Sequence, residues 1–114
     1  MLLRPVASVS IWHDASGALP TLEELYLNDN QIGDTGLSAL ATAVGNGALP
    51  NLTQLILQYN KIGDVGLQAL SEALGKGALA SVSFIDVDNN KATEAGKKAM
   101  RDVAQTRGFR VDLA

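Results

Sequence analysis

Reactive side chains are scarce in this sequence, and those present do not converge. His13 is the only histidine and cysteine is absent. Nucleophilic triads, His-based metal centres, disulfides and Cys-ligated metals therefore lack their parts. His13 reads as a bend residue beside a strand. Gly33-x-x-Gly36 and Gly63-x-x-Gly66 lack the Lys-Ser/Thr of a phosphate-binding loop and read as turn and helix-start glycines. Asp86-Val87-Asp88-Asn89-Asn90 opens like a calcium loop, but Lys91 stands where that loop needs Gly and Lys97 where it needs Glu. No metal site is assigned. Asp86 and Asp88 project from one strand face and are the carboxylates best placed to hold a surface cation weakly. No cofactor is expected, and the chain is read as a non-enzyme.

These groups are positioned by a unit of thirty residues that recurs in register. Gly17-Ala18-Leu19-Pro20 returns as Gly47-Ala48-Leu49-Pro50 and as Gly77-Ala78-Leu79-Ala80. Leu22, Leu25 and Leu27 become Leu52, Leu55 and Leu57, then Val82, Ile85 and Val87, while Asn30 becomes Asn60 and Asn90. A fixed period of this length marks a solenoid. Within one unit, Leu25 and Leu27 alternate with Glu24, Tyr26 and Asn28, which predicts a short strand with one buried face. Asn30 holds the following bend through its side chain, and Asp34 is placed to cap a helix that begins near Thr35. Leu37, Leu40 and Val44 share a helical face, Ala39, Ala41 and Ala43 add propensity, and Gly45 and Gly47 end the helix before Pro50. Successive strands then pair in parallel, with helices outside. One unit buries too little to fold alone.

Leu22-x-x-Leu25-x-Leu27-x-x-Asn30-x-Ile32 followed by Gly36-Leu37-x-x-Leu40 resembles the leucine-rich repeat of the ribonuclease-inhibitor-like class. The second copy matches through Leu52, Leu55, Leu57, Asn60, Ile62, Gly66, Leu67 and Leu70. The third is degenerate, with Ala92 for Ile32 and Lys97 for Leu37. The resemblance implies an α/β fold, a short right-handed β/α coil with a parallel concave sheet and convex helices. It also implies a recognition scaffold without catalysis, and, from some relatives, regulation of an enzyme such as a nuclease or a small GTPase.

The expected organisation is one domain: a shortened capping repeat at 1–16, repeats at 17–46, 47–76 and 77–106, and a capping strand at 107–114. The first cap rests on Val6-x-x-Val9-x-Ile11-x-x-Asp14, which keeps the strand spacing but leaves no room for a helix. The last helix is expected from about Glu94 to Gln105, then a strand within Phe109–Leu113.

Alternation leaves Ser8, Ser10 and Trp12; Glu24, Tyr26 and Asn28; Gln54, Ile56 and Gln58; and Phe84, Asp86 and Asp88 on the concave face, with Asp29, Tyr59 and Asn89 just beyond the strands. Arg110 and Asp112 are in line to close the row. Trp12, Tyr26, Tyr59 and Phe84, four of five aromatics, fall on or beside this face. Trp and Tyr are enriched at binding hot spots. The partner-binding set is therefore Trp12, Glu24, Tyr26, Asn28, Gln54, Ile56, Gln58, Tyr59, Phe84, Asp86 and Asp88. A protein or peptide partner suits it, with a leaning to a basic one, since Glu24, Asp29, Asp86 and Asp88 carry the charge. Those acids and a formal net charge of only −3 argue against nucleic acid. Six of nine basic residues lie from Lys91 onward and are read as the solvated face of the last helix. No stretch is long and apolar enough for a membrane span, and a cytoplasmic location is expected. The chain is expected to be a monomer or to self-associate weakly. A rival reading is a self-assembling fragment of a longer array, built by end-to-end contacts.

Overall fold

The computed structural model describes residues 21–114; the expected cap at 1–16, including Trp12 and His13, lies outside the described residues. Four short strands, β1 (Glu24–Tyr26), β2 (Gln54–Ile56), β3 (Phe84–Asp86) and β4 (Arg110–Asp112), alternate with α1 (Asp34–Gly45), α2 (Asp64–Gly75) and α3 (Glu94–Arg107). All strands pair in parallel in chain order. From β1 to β3 the register keeps the period, and β4 joins it after a shorter interval: Leu25, Leu55, Ile85 and Val111 are partners in one row, and Tyr26, Ile56, Asp86 and Asp112 in the next. This is a short α/β solenoid, with a parallel sheet on one side and helices on the other.

The core lies between sheet and helices. Leu25, Leu55 and Ile85 are fully buried from the sheet side, and Leu37, Leu40, Leu67, Leu70 and Met100 from the helix side. Ala41 and Ala43 are buried as well, so these alanines let layers approach and do more than favour helix. Met100 occupies the position of Leu40 and Leu70, a volume-conserving exchange of the kind cores accept. At the end of the array Lys97, standing where the earlier helices have Leu37 and Leu67, is half-buried. An outer repeat meets water there, and a lysine stem can cover apolar surface while its ammonium stays solvated.

Two expectations about polar side chains need correction, and both change for the same reason. Asp34 does not cap its own helix, whose N-cap is Gly33 without a side-chain bond. Its Oδ1 accepts from the Gly63 N–H at 2.8 Å and the Gly66 N–H at 2.9 Å, the first amides of α2. Asp64 serves α3 likewise, accepting from the Thr93 N–H at 2.8 Å, the Thr93 hydroxyl at 2.5 Å and the Gly96 N–H at 3.0 Å. Each helix start is thus capped by the repeat before it, satisfying amides that have no partner within the helix. The contact is so close that a Cβ on Gly96 would lie 2.5 Å from Asp64 Oδ1 and 2.9 Å from its Cα, which requires glycine.

The asparagines also bridge repeats, where each was expected to hold only its own bend. Asn60 donates through Nδ2 to its own Leu57 O and Gln58 O, and also to Leu27 O of the preceding repeat at 2.9 Å. Its Oδ1 accepts from the Asn30 N–H at 3.2 Å and the Ile32 N–H at 3.1 Å. Asn90 repeats the pattern one unit on, reaching Leu57 O and the Ile62 N–H. Asn60 is buried at 7% exposure, so these bonds are its full replacement for water.

The helix ends also differ in detail. Gly45 is the last residue of α1, and the turn to positive φ falls at Gly47 (φ 99°). α3 runs through Arg107, two residues past the expected Gln105, and stops on Gly108 in the left-handed conformation (φ 82°).

Candidate functional site

The sheet presents three cross-strand rows on the side away from the helices. The first is Glu24, Gln54, Phe84 and Arg110; the second is Tyr26, Ile56, Asp86 and Asp112. Asn28, Gln58 and Asp88 continue the alternation past the strand ends. Main-chain bonds extend the ladder beyond them, from Asp29 N to Gln58 O and from Tyr59 N to Asp88 O, each 3.0 Å, and from Asn89 N to Ala114 O at 2.8 Å. Strand pairing in register thus brings together Glu24, Tyr26, Gln54, Ile56, Phe84 and Asp86, with Asn28, Gln58, Asp88 and Tyr59 along the adjacent margin. Trp12 lies outside the described residues.

These side chains are not equally open. Ile56 and Asp86, in the centre of the second row, are each only 9% exposed. They form a floor, which differs from the solvent-facing row that alternation alone predicts. Tyr26 is half-buried and its hydroxyl donates to Glu24 Oε1 at 2.7 Å. That carboxylate, with a smaller contribution from burial, holds the Tyr26 phenol above its usual pKa. Phe84 is also half-buried, and the Arg110 guanidinium lies over its ring, 5.1 Å from the centroid. Arg110 Nε is in turn 3.3 Å from Asp112 Oδ1. An intramolecular cation therefore already covers one face of the ring that sequence alternation leaves open. The partner strand β4 supplies it, and the expected alternation at Phe109–Leu113 was the signal for that placement.

The margin is different. Asp29, Tyr59 and Asn89 occupy equivalent positions and all have left-handed backbone, with φ of 60°, 58° and 58°. Asp and Asn tolerate this region, whereas a bulky side chain in it is an outlier. Tyr59 is nevertheless 54% exposed, one of two large hydrophobic residues in the described chain that are so open. The other, Val65, stands in the first turn of α2.

Acidic groups gather at the far end of the second row. Single carboxylate oxygens of Asp86, Asp88 and Asp112 lie within 4.8 Å of one another. Asp112, brought in by β4, joins the two aspartates that the sequence brings together. Asp86 Oδ1 accepts from the Asp88 N–H at 3.0 Å, and Asp88 Oδ1 accepts from the Ala114 N–H at 2.7 Å. Burial foremost, then the charges of Asp88 and Asp112, raises the Asp86 carboxyl above its usual pKa, against the lowering effect of the Asp88 amide. The cluster is a concentrated negative potential that would favour a cationic group. The described residues bring together no nucleophile–base pair on this face.

Comparison with known families bears on residues 20–72, which match a model described as Leucine Rich repeats (2 copies). No curated protein matches the chain. Leucine-rich repeat domains generally mediate protein–protein interaction and are typically non-catalytic. The matched copies, the parallel four-stranded sheet and the alternating helices give the described residues the fold of a short leucine-rich-repeat solenoid.

Proposed function

We propose that the chain is a non-catalytic protein-binding module of the ribonuclease-inhibitor-like kind that receives a partner segment on its concave face. One observation carries this reading: Tyr59, an aromatic side chain 54% exposed on a left-handed residue where the neighbouring repeats have Asp29 and Asn89. Folding gains little from a tyrosine at such a position, and either neighbour's residue type would fit the backbone better. A tyrosine ring at the margin of a floor formed by Ile56 and Asp86 suits a contact anchor, because tyrosine offers large area at low conformational cost.

Glu24, Asn28, Gln54, Gln58 and Asp88 supply polar partners around Tyr26. The aspartates favour a partner segment carrying lysine or arginine, by complementarity of charge. The same acidity opposes nucleic acid.

Affinity capture with mass spectrometry, comparing the native chain with a Tyr26→Ala/Tyr59→Asn double variant, tests the reading. Proteins retained by the native chain should be lost from the variant while the two circular dichroism spectra coincide. An identical set captured by both would refute the concave site.

A further inference from the structure

The helices end along one edge of the solenoid, where their last carbonyls meet the turn leading to the next strand. At the final junction the chain fills the gap itself. Arg107 Nη1 donates to Leu74 O at 3.1 Å and Ala78 O at 2.5 Å, and Nη2 donates to Leu79 O at 2.8 Å. Three backbone acceptors thus hold one planar guanidinium, which fits its fixed fork of donors. Arg107 is also the only basic residue in the last turn of any of the three described helices.

One repeat earlier the same backbone recurs. Gly47 N to Val44 O (3.1 Å) matches Gly77 N to Leu74 O (3.1 Å), and Ala48 N to Ala43 O (3.0 Å) matches Ala78 N to Ala73 O (3.1 Å). Leu49 and Leu79 share positive φ, 55° and 53°, and each accepts from the amide three residues on. The carbonyls of Val44, Ala48 and Leu49 therefore stand as those of Leu74, Ala78 and Leu79 do. The residue in register with Arg107, however, is Gly77, and a Cβ on it would meet nothing within 4 Å. A cavity of about 250 Å³ opens there, walled by Val44, Ala48 and Pro50 on one side and Gly77, Ala78 and Ala80 on the other. Lys76 borders it, but its ammonium lies 3.5 Å from Glu72 Oε1. The last turn of α1 itself carries no basic residue to oppose its negative end.

We propose that this cavity is a guanidinium site that takes an arginine side chain of a partner protein. The inference comes from the chain's own repeat, in which an arginine sits on the equivalent carbonyls. It is independent of the concave face. A lysine would serve less well, since a compact ammonium does not match three acceptors spread for a planar fork.

The test is a ¹H–¹⁵N titration of the full chain with methylguanidinium chloride, and with methylammonium chloride at equal ionic strength. Methylguanidinium should shift the amides of Gly47, Ala48, Gly77 and Ala78 saturably, with a Kd on the order of 1–10 mM for so small a ligand. Methylammonium should leave them in place. N-acetyl-arginine methylamide, which resembles arginine within a chain, should bind more tightly than free arginine; the reverse order would overturn the assignment to a partner protein. An Arg107→Ala variant provides the internal comparison, because it empties the equivalent site. Methylguanidinium should then raise the variant's Tm as well. Shifts at the vacated site of the variant but none around Ala48, or equal responses to both cations, would overturn the proposal.

Discussion

Replacing Tyr59 separates what the fold requires from what a binding surface requires. Its backbone is left-handed at φ 58°, a conformation that costs a residue with a Cβ roughly 1–2 kcal/mol. Asparagine relieves much of that cost, as Asn89 does at the same φ, and alanine relieves none of it. The ring contributes in the other direction. Complete burial of a large side chain is worth about 1.5–3 kcal/mol. With 54% of Tyr59 exposed, less than half of that is at stake, about 1 kcal/mol. The two terms nearly cancel in Tyr59→Asn, so its stability should stay within about 0.5 kcal/mol of the native chain. Tyr59→Ala loses the ring without relieving the backbone and should fall about 1 kcal/mol below Tyr59→Asn, or roughly 4–8 °C in Tm. Urea unfolding of the three proteins, with unchanged m-values, measures these differences. A Tyr59→Ala variant as stable as Tyr59→Asn would show that the left-handed backbone carries no cost. A loss beyond about 2 kcal/mol in both variants would show that the ring is a core element, and the reasoning that frees it for a partner would collapse.

Three further outcomes follow from the contacts between repeats. Asn60→Ala removes five hydrogen bonds and strands the buried Ile32 amide, so a loss of about 3–5 kcal/mol is expected in urea unfolding. Two helical glycines should respond oppositely to alanine. Gly96→Ala forces the cap at Asp64 apart and lowers Tm, whereas Gly75→Ala meets nothing within 4 Å and should add about 0.5–1 kcal/mol. For Asp86 the folded pKa is raised, so the folded state binds the proton more tightly than the unfolded chain does. This term alone makes the native chain gain stability as pH falls through that raised pKa towards 3.8, and removes the gain as pH rises. Asp86→Asn should therefore be more stable at pH 7, by roughly 0.2–1 kcal/mol for relief of the repulsion by the in-register Asp112, and should lack that acid-side gain in a Tm-versus-pH series.

The repeat and its strand–helix order were readable because apolar spacing recurs, and recurrence reports which positions face the same environment. Leu25, Leu55 and Ile85 needed no more than that. What one unit could not reveal was chemistry joining it to the next. Asp34 has the residue type and place of a local cap, and the helix it serves begins about one full repeat later. The floor at Ile56 and Asp86 was hidden for the same reason: alternation gives the side of a strand, not how far its flanking neighbours cover it. Arg110 over Phe84 depends on β4, the least repeat-like strand. The left-handed conformation at Tyr59 had an available signal, since the equivalent residues are Asp29 and Asn89, types that favour it.

The reciprocal polar bonds between layers also fix how the molecule comes apart under load. Removal of the last layer, β3 and α3 together with β4, takes Asn90 away from Leu57 O and the Ile62 amide and leaves Asp64 without the amides that face it. Each detached layer therefore weakens the one beneath. Pulled from its carboxyl end, the chain should give way in successive steps of about one layer, like a zipper whose teeth are cut in pairs. By the same rule, a graft that lengthens it must add a whole period, with both an aspartate at the helix start and an asparagine at the bend.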